Sequence, residues 1–373
     1  MADNIFEQFA EMLSSPGPVN WKLAEEMAKS VIGTSPGVPD PGTFETLYRV
    51  VEVHMHDVSP LGTPGKDPRL VTASQFLTSN LKGLSYLLEP LSELIKRSMG
   101  TELPSPIPLD GLTPALIGMQ AGSLMGMLAQ RTMGHFDSLL PLLGGSQELV
   151  AANVDSFAAD HELDVDQVRL WALAMERITM AEYAVPWLTD YIATVVEQYL
   201  ADLEIDPSVL MGRFDNIGID GMPDPSDIEA TLTNPGSMSG LLTGPHQAED
   251  VASIRALVSF LAGYADYRLD AIAGVVTDLD IIREAFDRRL AAPAAGEQML
   301  LSLLALDIDR RHYRKAATFC REVVARLGED ALSVAWSSPE HLPTESELDD
   351  PVGWAARTML DDSGLFDESD ESE

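Results

Sequence analysis

The segment from Asp164 to Leu188 constrains the fold most, because it predicts a long buried helix that carries a charge. Asp164 can cap the helix, Gln167 can complete a capping box, and Pro186 should break the helix. One face is formed by residues at spacings of three and four: Val168, Trp171, Ala172, Met175 and Thr179. Glu176 lies beside this face among uncharged neighbours, so its carboxylate needs either a function or a partner from elsewhere in the chain.

This segment resembles the zinc-binding helix of actinobacterial zincin-like proteins, which are assigned as hydrolases or as zinc-dependent metalloproteases associated with deazaflavin-coenzyme biosynthesis. In that family the helix reads roughly W-V-A-L-H-E-x-T-H and is followed by P-W-L. The matching frame here is Trp171–Ala174, Glu176 and Pro186–Leu188. Shorter similarities extend the resemblance from Pro18 to Trp354. The resemblance implies a mainly α fold, a large helical zincin-like metalloprotease fold with at most a small β element.

Both histidines of the family motif are replaced. Two histidines four residues apart on a helix can hold one zinc ion, while the glutamate between them serves as general base. Met175 stands at the first ligand position and Thr179 at the second, and neither a thioether nor a neutral hydroxyl suits zinc. The third ligand of the family, expected in a Leu-Glu-Gly phrase, corresponds to Ala262. The resemblance therefore implies that Glu176 keeps the general-base position without metal ligands or a cofactor.

Two functional hypotheses from different classes follow. The first is a non-catalytic binding or scaffold protein that uses the cleft of the fold for an unknown protein or peptide partner. The alternative is an active zinc-dependent metallohydrolase with rearranged ligands, built from Glu176, Asp266 or Asp270 and a displaced histidine. Asp266 and Asp270 are also explained by pairing with Arg268 or a neighbouring basic residue. The motifs of serine hydrolases, phosphate-binding loops and cysteine-based metal sites are missing from the sequence.

The histidines elsewhere in the chain offer no chelating pair. His54 and His56 are two residues apart, so on a helix they point in different directions. His161, followed by Glu162, precedes the helix cap and is interpreted as a loop residue. His135 belongs to a Gly-His-Phe-Asp turn, which is typical of a structural hydrogen-bonding role.

Two other features have a structural interpretation. His312 lies in the basic patch 310–315, for which internal salt bridges are expected in so acidic a chain. Cys320, the single cysteine, is expected to be a buried core thiol, and a disulfide framework is excluded.

The charge of the chain limits its partners. The 373 residues include 59 acidic and 24 basic side chains, a formal net charge of −35. Such a surface repels phosphate groups, so neither nucleic acid nor an anionic membrane surface is an expected partner. The N-terminus lacks the pattern of a signal peptide and no apolar run is long enough to span a bilayer, so we expect a cytoplasmic protein.

The domain prediction is one helical domain over residues 1–360, with a loop or insertion at 206–245 and a disordered acidic tail at 361–373. The strand expected in the core is 147–153. The helices expected besides the central one are 1–13, a helix capped by Asn20 and ending near Ile32, 44–56, 73–99, 116–135, 189–203, 248–273, 279–290, 297–304 and 311–327.

Overall fold

A computed structural model describes residues 17–39, 41–62, 67–99, 109–205, 242–243, 247–304, 306 and 308–362. These residues form fourteen α-helices with short connections. The helices are α1 Trp21–Ile32, α2 Pro41–Val58, α3 Ala73–Asn80, α4 Ser85–Met99, α5 Leu109–Ala129, α6 Ala151–Asp160, α7 Val165–Tyr183, α8 Leu188–Ala201, α9 Gln247–Arg268, α10 Leu279–Ala291, α11 Ala295–Leu303, α12 Arg310–Leu327, α13 Glu329–Ser333 and α14 Pro351–Asp362. The mainly α fold with a small β element is therefore confirmed.

The β structure of the described residues consists of two very short ladders. Strand β1, Arg69–Val71, pairs in parallel with β2, Glu148–Val150, and Leu70 lies opposite Leu149. Strand β3, Glu204–Ile205, pairs antiparallel with β4, Leu242–Thr243. The strand expected at 147–153 is confirmed in place but is shorter, because helix α6 begins directly at Ala151.

The central helix α7 begins and ends close to where the sequence predicted. The Asp164 carboxylate accepts hydrogen bonds from the backbone N–H groups of Asp166 and Gln167, both at 3.0 Å. The predicted capping box is wrong, because the Gln167 side chain instead accepts a hydrogen bond from the backbone N–H of Thr277 at 2.7 Å. Helix α7 ends at Tyr183, before Pro186, and α8 begins at Leu188.

The helix expected at 73–99 is two helices, α3 and α4, separated at residues 81–84. Gly83 lies in the break, and a Cβ there would come within 3.0 Å of the Asn80 carbonyl oxygen and of Leu142 Cβ. The chain from residue 138 to 145 therefore packs against the break. The helix expected at 116–135 is α5, which begins earlier and ends at Ala129, and His135–Asp137 forms a separate 3-10 turn.

Helix α7 crosses the larger of two hydrophobic clusters and is buried along most of its length. The Trp171 ring contacts Phe136 edge-on, with ring centroids 5.2 Å apart, and contacts Phe286 at 5.1 Å. Helices α9 and α12 pack closely at Gly263, where a Cβ would lie 2.5 Å from Ala316 Cβ. These contacts fix α7, α9, α10 and α12 around a common space.

Several expectations fall on other parts of the chain. The predictions for the helix at 1–13, for most of the loop at 206–245 and for the tail beyond 362 lie outside the described residues. Within the described ranges, no helix combines the length and the apolar composition that crossing a bilayer requires.

Candidate functional site

A cavity of about 700 Å³ lies between α7, α9, α10, α12 and the turn at 135–141. Met175 and Thr179, from α7, and Ala262, from α9, line its wall. The three positions that the family resemblance assigns to metal ligands therefore face one space. They offer a thioether, a neutral hydroxyl and a methyl group, a donor set that does not fit zinc. The described part of the chain also holds no cluster of three or more His, Cys, Asp or Glu side chains placed to bind a metal ion.

Glu176 is fully buried, and its carboxylate is held by donors from outside its own helix. The backbone N–H of His135 donates to Oε2 at 2.8 Å, and the backbone N–H of Glu148 donates to Oε1 at 3.2 Å. The His135 ring nitrogen Nδ1 lies 2.8 Å from Oε1. Glu176 is not among the described residues that line the cavity. The carboxylate that the sequence left without a partner thus has three, and they come from the 3-10 turn and from β2.

Both ring nitrogens of His135 face oxygen atoms of other side chains. Nδ1 faces the Glu176 carboxylate, and Nε2 lies 3.0 Å from the Asn80 side-chain oxygen. The Asn80 amide orientation follows from its nitrogen, which donates to the Phe76 carbonyl at 3.0 Å and to Glu148 Oε2 at 3.2 Å. His135 therefore links Glu176 to Asn80 in a buried polar network.

A second carboxylate and two glycines complete the surroundings of Glu176 and His135. Glu148, also fully buried, accepts a hydrogen bond from Ser79 at 2.9 Å and pairs with Arg69. A Cβ at Gly134 would lie 2.5 Å from Glu176 Oε2, and one at Gly145 would lie 2.5 Å from His135 Nε2. Glycine at these positions lets the backbone approach the charged groups closely. The structural role expected for His135 is confirmed, while its partner Glu176 could not be identified from the turn sequence alone.

Asp266 and Asp270 line the rim of the cavity and are bound by two arginines. Arg283 contacts both carboxylates at 2.6 Å, and Arg321 contacts Asp266 at 3.0 Å and Asp270 at 2.7 Å. Burial opposes ionisation of Asp270, but hydrogen bonds from the two arginines outweigh it and hold its pKa below the ordinary value. The expectation that Asp266 and Asp270 pair with basic residues is confirmed, with Arg283 and Arg321 as the partners, while Arg268 pairs with Glu329 at 2.9 Å.

Glu182 is a residue of the cavity that the sequence interpretation missed. It follows Thr179 by three residues on α7, on the same face as Met175 and Thr179, and lines the cavity while being only 1% exposed. Its Oε1 receives no hydrogen bond from any described residue. Burial raises the pKa of this carboxyl group well above its ordinary value. The spacing of three residues after Thr179 indicated that Glu182 shares the face of Met175 and Thr179. It could not indicate that Oε1 receives no hydrogen bond from the described residues.

Asp137 is a second buried carboxyl group in the lining. Its Oδ2 accepts hydrogen bonds from the backbone N–H of Met133 at 3.0 Å and from Arg289 at 2.6 Å, while Oδ1 has no partner among the described residues. Burial raises the pKa of Asp137 to about 6 although the Arg289 charge lowers it. The inner wall therefore presents two carboxyl groups that each have an oxygen without a hydrogen bond from the described chain.

His54, His161 and His312 are not among the described residues that line this cavity. His54 lies near the end of α2, and His161 follows the last residue of α6. Glu162, the next residue, has a positive φ of 55°, as suits the tight connection into α7. His312 contacts Asp309 at 3.1 Å.

The basic patch and the cysteine are structural, as expected. In the patch, Arg314 pairs with Asp287 at 2.9 Å and Lys315 with Asp349 at 2.6 Å, so the expected internal salt bridges are confirmed. Cys320 is a fully buried free thiol, and burial raises its pKa.

Comparisons with known proteins agree with the fold. A family model described as zincin-like metallopeptidase matches residues 19–355. No curated protein matches the chain. Among solved structures, a crystal structure from Chloroflexus aurantiacus, titled a putative hydrolase with a novel fold, superposes with a TM-score of 0.61. The two sequences are 23% identical over 91% of this chain and 99% of the other, a similarity that shows the fold.

Proposed function

The chain belongs to the zincin-like metallopeptidase family, and we propose that this member binds a small ligand or a peptide segment in its cavity without zinc-dependent hydrolysis. One observation carries the proposal: Glu176 is turned into the protein and held by three hydrogen bonds, while Met175, Thr179 and Ala262 face the cavity. A general base must reach the water that it deprotonates. Here the carboxylate at that position stabilises the fold.

The size and lining of the cavity support binding. A volume of about 700 Å³ lies in the range of ligand pockets, which are largely apolar with a few placed polar groups. Phe136, Trp171, Leu261 and Phe286 supply apolar surface in this lining. Function belongs to sites rather than to folds, so a zincin-like fold does not by itself carry hydrolysis.

The arrangement of the acidic residues gives the metallohydrolase alternative little support. Asp266 and Asp270 are each bound by Arg283 and Arg321, so a cation would have to displace two arginines from both. His135, a histidine at the cavity wall, has both ring nitrogens bound to Glu176 and Asn80.

The test combines binding with cleavage. A set of amino-acid amides and short peptides is screened by ligand-observed NMR against the full chain, with and without equimolar zinc, and the peptides are afterwards analysed by mass spectrometry. We expect ligands that bind equally in both conditions and remain intact. Ala262→Phe, which fills the cavity, should abolish binding, whereas Ala356→Phe, at an exposed position of α14, should not. Zinc-dependent cleavage of any bound peptide would contradict the proposal.

A further inference from the structure

Glu182 is the feature of the cavity that the fold does not explain. Its carboxyl group is buried in the wall, receives no hydrogen bond at Oε1 from any described residue and belongs to no ion pair among them. Burying a polar group without a partner is energetically unfavourable. By contrast, Glu176 and Glu148, equally buried, are each held by several donors. Among the described residues, Glu182 thus offers an unsatisfied acceptor to a ligand in the cavity.

The charged side chains that line the cavity indicate the sign of the charge on the ligand. Seven acidic side chains line it, against three arginines. All three arginines already contact carboxylates: Arg283 and Arg321 bind Asp266 and Asp270, and Arg314 binds Asp287. An anionic ligand would have to displace one of these pairs, whereas a cation meets Glu182 and Asp137, whose Oε1 and Oδ1 receive no hydrogen bond from the described residues. The lining is therefore complementary to positive charge.

The apolar part of the cavity wall indicates the chemistry of the uncharged part of the ligand. Phe136, Trp171 and Phe286 form a cluster of rings at the cavity, with Phe136 and Phe286 centroids 6.3 Å apart. Apolar surface of this kind binds alkyl chains, and aromatic faces also attract cations. Metal ions fit less well, because the described residues provide no group of three or more ligands.

We propose that the cavity binds a primary ammonium group carried on an apolar chain, and that the Glu182 carboxylate receives the ammonium. This inference rests on the proposed ligand-binding function and specifies its ligand class. The same chemistry is presented by a small alkylamine and by the lysine side chain or amino terminus of a peptide. In either case Glu182 releases its proton to solvent when the ligand binds, and the resulting carboxylate forms an ion pair with the ammonium in the cavity, with the alkyl chain against the rings.

The experiment measures the contribution of the ammonium group. Affinities of n-hexylamine and n-hexanol for the full chain are determined by calorimetry, and those of a lysine-containing hexapeptide and its norleucine analogue are determined beside them. We expect at least one charged ligand to bind tenfold or more tightly than its uncharged analogue. Preference for hexylamine identifies a small-molecule site, and preference seen only in the peptide pair identifies a protein segment.

Two variants test whether the Glu182 carboxylate causes the preference for the charged ligand. Glu182→Gln should reduce the tenfold preference to less than twofold while leaving the affinity of the uncharged analogue unchanged. The matched control is Glu322→Gln on α12, which does not line the cavity and whose side chain is 44% exposed in a pair with Arg326. Thermal unfolding of both variants verifies that they fold.

The inference and the proposed function fail in different ways. If charged and uncharged ligands bind equally well, or if Glu182→Gln keeps the preference, the ammonium assignment is overturned while ligand binding in the cavity stands. If neither member of either pair binds, the ammonium assignment is also overturned, and the screen against Ala262→Phe then decides the proposed function on its own.

Discussion

At the scale of single residues, Glu176 is the glutamate that the family resemblance places at the general-base position. Its carboxylate accepts hydrogen bonds from the backbone N–H groups of His135 and Glu148 and lies 2.8 Å from Nδ1 of His135. Its burial on the core helix was predictable from the apolar spacing. Its partner was not, because His135 lies forty-one residues earlier and approaches through a turn whose geometry depends on Gly134 and Gly145.

Glu176→Gln is therefore expected to destabilise the fold rather than to leave it unchanged. The substitution replaces one oxygen of a fully buried carboxylate by an NH2 group, so a buried donor loses its acceptor, which costs about 1–3 kcal/mol. Urea unfolding at pH 7 should show this loss. Glu45→Gln, whose side chain is 65% exposed in a pair with Arg49, serves as the control and should change stability by less than about 0.5 kcal/mol. Equal stability of the two variants would mean that the His135–Glu176 pair does not stabilise the fold.

Glu182→Gln, unlike Glu176→Gln, is expected to raise the free energy of unfolding, and the size of the increase should depend on pH. Burial raises the pKa of Glu182 in the folded chain, so the folded state holds a proton that the unfolded state has released. Wild-type stability therefore falls as the pH rises from the unfolded pKa, near 4.5, to the folded pKa, by about 1.4 kcal/mol for each unit of difference. The variant lacks this loss. Unfolding curves at pH 4 and pH 8 should show a stability difference in favour of the variant that grows with pH, and a constant difference would contradict the buried, unpaired state of Glu182.

At the scale of elements, long periodic helices were predictable and short or interrupted ones were not. The capped helices α1 and α7 begin next to Asn20 and Asp164, as their sequences indicate. Strand β1 was missed because three residues cannot display a period of two. The break at Gly83 was missed because it depends on Leu142, a tertiary contact that local propensity does not contain.

The packing of α1 against α5 provides an element-scale prediction. Gly118, Gly122 and Gly126 recur every four residues on α5, and a Cβ at each would meet α1; at Gly122 it would overlap the Ala24 carbonyl group. We expect Gly122→Ala to lower the free energy of unfolding by about 1–3 kcal/mol, the range for overpacking, despite its better helix propensity. Gly274→Ala is the control, because a Cβ there has open space. Urea unfolding that shows no difference between the variants would contradict this close packing.

At the scale of the whole molecule, the sequence predicted the fold class, and the structure shows which residues share a cavity. Met175, Thr179 and Ala262 come from distant parts of the chain and line one cavity, an arrangement that local sequence pattern does not contain. The pairing of Arg283 and Arg321 with acidic residues depends on how α9, α10 and α12 pack together, and so does the lack of a hydrogen bond to Glu182 Oε1 from the described residues. Charge pairing between elements could therefore not be predicted from the sequence alone.

Zinc content tests the central claim most directly. The untagged full chain is dialysed against trace zinc and its bound metal is measured by elemental mass spectrometry. The control is the triple variant Met175→His, Thr179→His and Ala262→Glu, which restores the ligand types of the family at the three cavity positions and is expected to retain more zinc. For the natural chain we predict zinc well below one ion per chain. One tightly held zinc ion per natural chain would contradict the proposal that this family member binds its ligand without zinc-dependent hydrolysis.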